Sequence, residues 1–430
     1  MGTASQVRSL SAGSEMVRPQ TIKPKAQTAT IRTELPPQET DKPWTIGVLL
    51  PLSGEYRTIG QRFQQGLELA LTTNSDKKYY KWHLLLADSA KTTPEAAIKH
   101  FKDEHATIIL GPIQSKLAKS AAEKAIEQQL PIILLAPQPQ LTSLGENVFQ
   151  HFLSAANQAR EMARFIQERD EKRVALLHPD NNFGNDFKTT LINSCQNGQT
   201  SIIKSSTYNP QETDFRAAIK NLQETPDPTI DQPVPSYSFT ALIIADFYLR
   251  LRLLAPQLAF HNLTESQIYG IHGGNDQRLE NEAASNLEGA IFLDLCLNLP
   301  LPPQACTDYR KLYLKTYQEQ PSIYDTYAYD TITIINHARN LSNNSQTTNL
   351  AKALLELPPL KLISGLTTVS QDGEFSKKLC PLIFTNKERH PSTETNSGRN
   401  KNDKKKRRGG DETPCKNAYP EKPDNSGGLY

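Results

Sequence analysis

Hydrophobic positions along the chain fall into two alternating rhythms, short uncharged runs and longer stretches with helical spacing. Thr45–Leu50 is a β-branched and aliphatic run without charge, the pattern of a strand buried on both faces. Pro51, Ser53 and Gly54 stop it, and Phe63, Leu67, Leu69, Ala70 and Leu71 then recur at helical spacing. Gly60 and Gly66 allow that helix to pack closely on its neighbours. Further strands are predicted over Trp82–Ala87, Thr107–Leu110 and Pro131–Ala136, with helices over Pro94–Asp103 and Lys116–Gln128 between them. Such alternation predicts a parallel sheet covered by helices on both faces.

A second series of the same kind follows. It comprises a helix over Gln158–Arg169, a strand over Val174–His178, a helix over Phe183–Cys195 and a strand over Ser201–Ser206. A helix over Phe215–Leu222, a strand over Thr240–Ala245, a helix through Leu254 and a strand over Gln267–Gly270 complete it. The proline-rich stretch Thr225–Tyr237 reads as a surface excursion. Helices over Cys306–Gln318 and Tyr327–Leu341 and closing strands over Leu362–Val369 and Leu382–Phe384 end the ordered pattern. Two α/β series in one chain predict two lobes of like construction with a cleft between them.

Length and composition refine this. The 430 residues suffice for two ordinary cores, and the 29 prolines and 37% hydrophobic content assign part of the chain to linker or tail. Residues 1–43 are polar and read as a disordered leader or linker, and residues 391–430 as a disordered basic, low-complexity tail. The net charge of +2 comes from these ends, so it does not point to nucleic acid as a partner of the core. No run approaches the roughly 20 apolar residues of a membrane span, and no export signal is visible. The five cysteines form no CxxC pair; Cys296 and Cys306 are close enough in sequence to bridge their loop, with inert buried thiols as the competing reading.

Chemistry-bearing motifs are sparse. The nine histidines are scattered, and HExxH, GxSxG and P-loop patterns are missing, so the expectation is no catalytic residue, no metal site and no cofactor. The Lys404–Arg408 run reads as a solvated tail. What remains is the junction of strand, small-residue turn and helix at Thr45–Leu71, which reads equally as a site for small polar molecules and as an ordinary first βα unit without a ligand.

Four stretches, in this order, resemble the type I periplasmic solute-binding proteins of the Leu/Ile/Val-binding family. They are IGVLLPLSG at Ile46–Gly54, ILGPIQS at Ile109–Ser115, PIILLAPQP at Pro131–Pro139 and YAYDTITII at Tyr327–Ile335. The segment LLAPQLAFHNLTESQIYGIHGGND also resembles the LppC-like penicillin-binding-protein activator lipoproteins. The resemblance implies an α/β fold of two doubly wound, Rossmann-like lobes joined by a three-strand hinge. The crossings fall near Phe152, Leu297 and Leu362. Lobe one is then 44–152 with 298–361, and lobe two 153–297 with 362–390. It further implies a non-catalytic, periplasmic or membrane-anchored protein that closes on a small polar ligand, an amino acid or short peptide. The partner is then a membrane permease in ABC-type uptake or sensing. The alternative is a lipoprotein regulator of a peptidoglycan synthase with a degenerate cleft.

An amino-acid ligand needs donors for its carboxylate and an acidic, aromatic partner for its ammonium. Ser53 and Ser115 are candidate donors. Ser115 follows Gly111-Pro112 and is either a ligand donor or a simple N-cap worth about 1 kcal/mol. Where the family has small residues and a threonine, this chain has Gln138-Pro139-Gln140, so Gln138 and Gln140 are candidates beside the reading of a plain polar turn. Phe183 is a candidate aromatic partner, and Phe247 or Tyr248 falls near a further aromatic position, with core packing as the rival. His272 stands where the family places its acid. A neutral histidine does not replace a carboxylate as counter-ion, and Asp246 and Asp276 are the acids nearest in sequence.

Overall fold

The computed structural model describes residues 7–11, 44–73, 82–196, 198–223, 237–274, 279, 286–299, 302–344 and 349–385. Most of the expected leader, residues 225–236 of the proline-rich excursion, Asp276 and the whole tail lie outside them. Two compact units divide the chain, Met1–Ser154 with Ala305–Lys377 and Ala155–Gln304 with Lys378–Tyr430.

Unit 1 is built on β1 (Val7–Ser11), β2 (Trp44–Leu50), β3 (Trp82–Asp88), β4 (Ile108–Leu110), β5 (Ile132–Leu134) and β6 (Val148–Gln150), in the spatial order β1-β3-β2-β4-β5-β6. β2 to β6 are mutually parallel, and β1 runs antiparallel along β3. β1 lies inside the stretch expected to be a disordered leader and is the one described strand there. Ile46, Val48, Leu49 and Leu50 are fully buried, as an uncharged run between helix layers requires. Helices α1 (Arg57–Thr73), α2 (Pro94–Asp103) and α3 (Ser115–Glu127) connect the strands. Thr93 caps α2 by accepting from Ala96 N, and Pro94 sits in its first turn. A Cβ on Gly66 would stand 2.1 Å from the Asp325 carbonyl, so only glycine lets α1 lie this close to the late helix carrying Asp325.

Unit 2 repeats the design with β7 (Arg173–Pro179), β8 (Ser201–Tyr208), β9 (Ala241–Ile244), β10 (Gln267–Gly270) and β11 (Ile291–Asp294). Their order is β8-β7-β9-β10-β11, all parallel, with β15 (Cys380–Ile383) closing the edge antiparallel to β11. Helices α4 (Ala155–Glu168), α5 (Asn182–Cys195), α6 (Arg216–Lys220) and α7 (Tyr248–Phe260) belong to it. Its core gathers Leu177, Phe215, Leu242, Leu251, Leu258 and Phe292.

After α7 the chain contributes α8 (Gln304–Tyr317), α9 (Ile323–Asn344), α10 (Leu350–Leu355) and the antiparallel trio β12 (Leu360–Leu362), β13 (Gly365–Val369) and β14 (Phe375–Lys377). The last crossing therefore falls at Lys377 and not near Leu362, and β13 and β14 belong to unit 1. The cause is local. Asp330 on α9 accepts from Ile363 N at 3.0 Å and Ser364 N at 2.9 Å, and Gln150 N donates to the Gly373 carbonyl at 3.1 Å, which ties the late strands to α9 and β6. The first two crossings lie at Ser154 and Gln304, near Phe152 and beyond Leu297.

The suggested Cys296–Cys306 bridge is not formed. Cys306 is a free, buried thiol donating to the Ile363 carbonyl at 3.2 Å, and burial beside Asp330 pushes it up to about 11. Cys195 is free as well, whereas Cys380 is disulfide-bonded.

Candidate functional site

In both sheets the first strand of the series lies between the second and the third, so the connections diverge to opposite sides at that point. Ligands of open α/β sheets bind beyond the strands' C-terminal ends at this divergence. In unit 1 the divergence is at β2 and β4, and a cavity of about 350 Å³ lies there. Tyr56, Ile59 and Phe63 come to it from the turn after β2 and from α1. Ile113, Gln114, Ser115 and Lys116 come from the loop after β4, Leu135 and Pro137 from the segment after β5, Phe152 from the end of β6, and Tyr324 from α9. Gly111 has φ +90, and a Cβ there would stand 2.2 Å from the Leu49 carbonyl, so glycine is required where the loop turns off β4 beside β2.

Ser115 is the first residue of α3, and its side chain is exposed while lining the cavity. It is not the N-cap. Gln114 holds that position without capping by its side chain, which instead accepts from the Ser89 hydroxyl at 2.5 Å. Of the two readings of Ser115, the cap is thereby excluded. The cavity wall is otherwise aliphatic and aromatic, and its one charged member is Lys116.

The other unit 1 candidates are not brought to the cavity. Ser53 donates to Asp88 at 2.6 Å, and the same carboxylate accepts from Leu52 N at 2.9 Å and Ala90 N at 3.0 Å. Burial raises the Asp88 pKa, but these donors outweigh it and hold the group below the ordinary carboxylate value. Ser53 thus ties the β2 turn to the end of β3. Gln138 gives its carbonyl to Gln150 Nε2 at 2.7 Å, and Gln140 is exposed with φ 60, its carbonyl accepting from Ser143 at 2.7 Å. Neither glutamine is among the cavity residues, where Pro137 stands instead. Both stand on the turn that follows β5.

Unit 2 carries its candidates at the matching strand ends. Phe183, in the first turn of α5, and Phe247, the N-cap residue of α7, place their ring centroids 5.0 Å apart. Phe247 is 42% exposed, so core packing does not account for it. Asn181 caps α5 by accepting from Gly184 N at 2.9 Å, which fixes the loop carrying Phe183. Asp246 is not available to a ligand. It is buried, accepts from the Tyr208 hydroxyl at 2.6 Å and from Phe247 N at 2.7 Å, and burial raises its pKa despite them. His272 follows β10, and its Nδ1 lies 2.5 Å from Oδ1 of Asp294 at the end of β11.

The family model described as periplasmic binding protein matches residues 43–380. The chain belongs to this family. Its members are periplasmic, non-enzymatic solute-binding proteins, and the fold is the type I architecture of the Leu/Ile/Val-binding branch. A relative from Brucella melitensis biotype 1, named Leu/Ile/Val-binding protein homolog 3, is 21% identical over 341 residues, 77% of this chain and 88% of that one. A solved Rhodospirillum rubrum protein named as a branched-chain amino acid ABC transporter aligns with TM-score 0.69 and 17% identity, over 80% of this chain and 98% of its own. The branched-chain amino acid transporter substrate-binding protein of Streptococcus pneumoniae, solved with isoleucine, aligns with TM-score 0.56 and 19% identity, over 80% and 97%. Among the described residues of this chain, no helix is long and apolar enough to cross a membrane, and no group of His, Cys, Asp and Glu could hold a metal ion.

The sequence pointed to Ser115 in the unit 1 cavity but missed Tyr56, Phe63, Phe152 and Tyr324. Their rings sit at helical spacing or at a strand end, where an aromatic residue reads as core. Asp294 was missed because 22 residues separate it from His272, and only the pairing of β10 with β11 joins them.

Proposed function

We propose that this chain is a non-catalytic receptor for a small ligand of the amino-acid class, held at the unit 1 cavity and delivered to a membrane permease. The observation that carries the reading is the cavity of about 350 Å³ in which Ser115, Lys116 and the start of α3 meet a wall containing Phe63, Phe152 and Tyr324. That volume is near the lower end of small-molecule sites, so it suits one amino acid better than a longer peptide. A carboxylate is received by the Ser115 hydroxyl and backbone N–H groups of α3, whose uncapped first turn favours negative charge. An aliphatic side chain fits the remaining wall. The names of the relatives point the same way. The disulfide at Cys380 supports an oxidising compartment outside the cytoplasm.

Calorimetric titration with leucine, isoleucine, valine, dipeptides and peptidoglycan fragments tests this. Binding of at least one amino acid is expected, with compaction in small-angle scattering as the hinge closes. Ser115→Ala is expected to weaken binding about tenfold or more through loss of a charge-assisted hydrogen bond. Its melting temperature should stay put, because the side chain is exposed. Silence across the whole panel sinks the receptor reading and returns the question to a regulator of cell-wall synthesis.

A further inference from the structure

Cys380 is disulfide-bonded, and its partner follows from what the other cysteines do. The chain has five, and Cys195 and Cys306 are free, which leaves Cys296 and Cys415. Backbone register decides between them. β15 runs antiparallel to β11, and its first residue, Cys380, stands opposite Asp294, the last residue of β11. Cys296 follows Asp294 by two residues and opens the short turn Cys296–Asn298. Asp294 holds that turn against the strand end, accepting from Leu295 N at 2.7 Å and from Asn298 Nδ2 at 2.9 Å. Opposed residues of an antiparallel pair have Cα atoms about 4.5–5.5 Å apart, and a disulfide spans Cα separations of about 4.4–6.8 Å. Two residues of tight turn carry a chain only about 4 Å onward, against about 7 Å in a strand, so Cys296 stays within reach of Cys380. Cys415 is 35 positions further along the chain than Cys380.

β15 needs such a fastening. It is four residues long, lies at the edge of its sheet beside β11, and its second residue, Pro381, has no N–H to give to the ladder. Its far end is held by a reciprocal pair: Phe384 N donates to the Ala290 carbonyl at 2.8 Å, and Gly289 N to the Phe384 carbonyl at 2.9 Å. The near end is Cys380, buried in the unit 2 core. That end also receives the chain as it returns to unit 2, since Ala305–Lys377 belongs to unit 1. A covalent bond from Cys380 to the end of β11 closes this long excursion into a loop, and long loops gain most from closure.

We propose that Cys296 and Cys380 form a disulfide that locks β15 to the end of β11, so that the edge of the unit 2 sheet is secured only in an oxidising compartment. The bond forms with loss of one hydrogen from each thiol. The two electrons and two protons pass to a disulfide-bearing thiol oxidase of the periplasm, which leaves as its dithiol. The periplasm is where the members of the family reside. Cys306 does not compete for Cys296, because its thiol is engaged with the Ile363 carbonyl. The inference is independent of which ligand the protein binds.

The test is thiol counting and peptide mapping on the full chain, exported to the periplasm of the expression host and purified without reductant. In guanidinium chloride three of the five cysteines are expected to react with a thiol reagent in the wild type, four in Cys296→Ser and two in Cys415→Ser. Alkylation and tryptic digestion of the wild type are expected to leave peptide 279–310 joined to peptide 379–387, with Cys306 alkylated. This mapping needs no variant, so it decides the pairing even where Cys296→Ser fails to fold. Reductant is expected to lower the melting temperature of the wild type by about 5 °C or more and to leave that of Cys296→Ser unchanged. The reverse thiol counts in the two variants, a link from 379–387 to another peptide or a second chain, or five open thiols in the wild type overturns the proposal. So does a wild-type melting temperature indifferent to reductant, because the bond would then fasten nothing.

Discussion

The two units wind their strands in the same order, yet they bury their polar groups in different places. In unit 1 the deepest polar cluster lies between α9 and the late strands. Asp330 is 1% exposed, faces Lys377 Nζ at 3.9 Å, and Lys377 in turn donates to Thr367 at 2.9 Å. His151 joins Thr331 at 2.8 Å beside them. In unit 2 the buried polar pairs Tyr208–Asp246 and His272–Asp294 stand at the strand ends, where the loops meet solvent. The difference follows from chain order. β13 and β14 arrive from far along the sequence, and charge and hydrogen bonds join the packing of Phe375 on Phe149 in anchoring them. Unit 2 closes with β15 in its main sheet, and the Tyr208–Asp246 and His272–Asp294 pairs shape its strand-end loops, while Tyr269 donates to Glu171 at 2.8 Å within its interior.

The largest effect that separates the two is expected from Asp330→Ala. It removes the carboxylate that faces a fully buried ammonium, and breaking a buried pair in this way costs about 3–5 kcal/mol. Chemical denaturation should show a lower midpoint for unit 1. In the intact protein the pair is coupled: burial lowers the Lys377 pKa to about 8 although Asp330 raises it. A loss under about 1 kcal/mol would mean that the late strands are held by other means.

Next in size is a pH effect in unit 1. Complete burial, with Lys377 adding to it, holds His151 well below the ordinary histidine value. An unfolded chain takes up a proton as the pH falls below about 6.5, and the folded chain does not. Stability is therefore full above that pH and declines as the pH drops toward the folded value, by about 1.4 kcal/mol per unit from this residue. His178 in unit 2 is lowered also, by burial first, so it adds a slope of the same sign. Melting curves from pH 7 to pH 5 should show His151→Phe flattening the dependence only in part. Complete flattening would assign the whole effect to unit 1.

Much of this division was legible in residues. The uncharged runs at Thr45–Leu50, Val174–His178 and Thr240–Ala245 became central strands because nothing but a helix-covered sheet can bury them on both faces. β6, β12 and β14 were missed, because VFQ, LKL and FSK each mix polar with apolar residues and lack the all-aliphatic run that marks β4 and β5. Ser53 was read as a ligand donor because its partner, Asp88, comes from a strand that sequence spacing does not set beside it. Ser115 was found at the cavity because a helix start after a glycine turn is visible locally. His272 was read alone and judged by its own charge, whereas its chemistry belongs to the pair with Asp294.

A smaller loss is expected in unit 2 from Tyr208→Phe. The phenol donates to Asp246, and removing it leaves a buried carboxylate with one donor, the Phe247 N–H. The expected cost is about 1–3 kcal/mol, below that of Asp330→Ala because no buried cation is stranded. Chemical denaturation of this variant beside Asp330→Ala checks the order. A loss as large as that of Asp330→Ala would mean that the phenol supports more than its one hydrogen bond.

The smallest effect is expected on the outward face of α7. This helix is apolar on both sides: Leu251, Leu254 and Leu258 are fully buried, while Leu249 is 61% exposed and Phe260 81% exposed on the opposite face. A ring that remains in water in the folded state has little to lose on unfolding, so Phe260→Ser should shift stability by no more than about 0.5 kcal/mol. Leu258→Ala, two positions away and facing inward, should cost about 2–5 kcal/mol. Denaturation midpoints of the two variants, measured side by side, give the contrast directly. A large loss from Phe260→Ser would show that the ring is covered in solution. The outer face of α7 would then be a place where unit 2 meets another molecule, and the contrast between the units would have to include it.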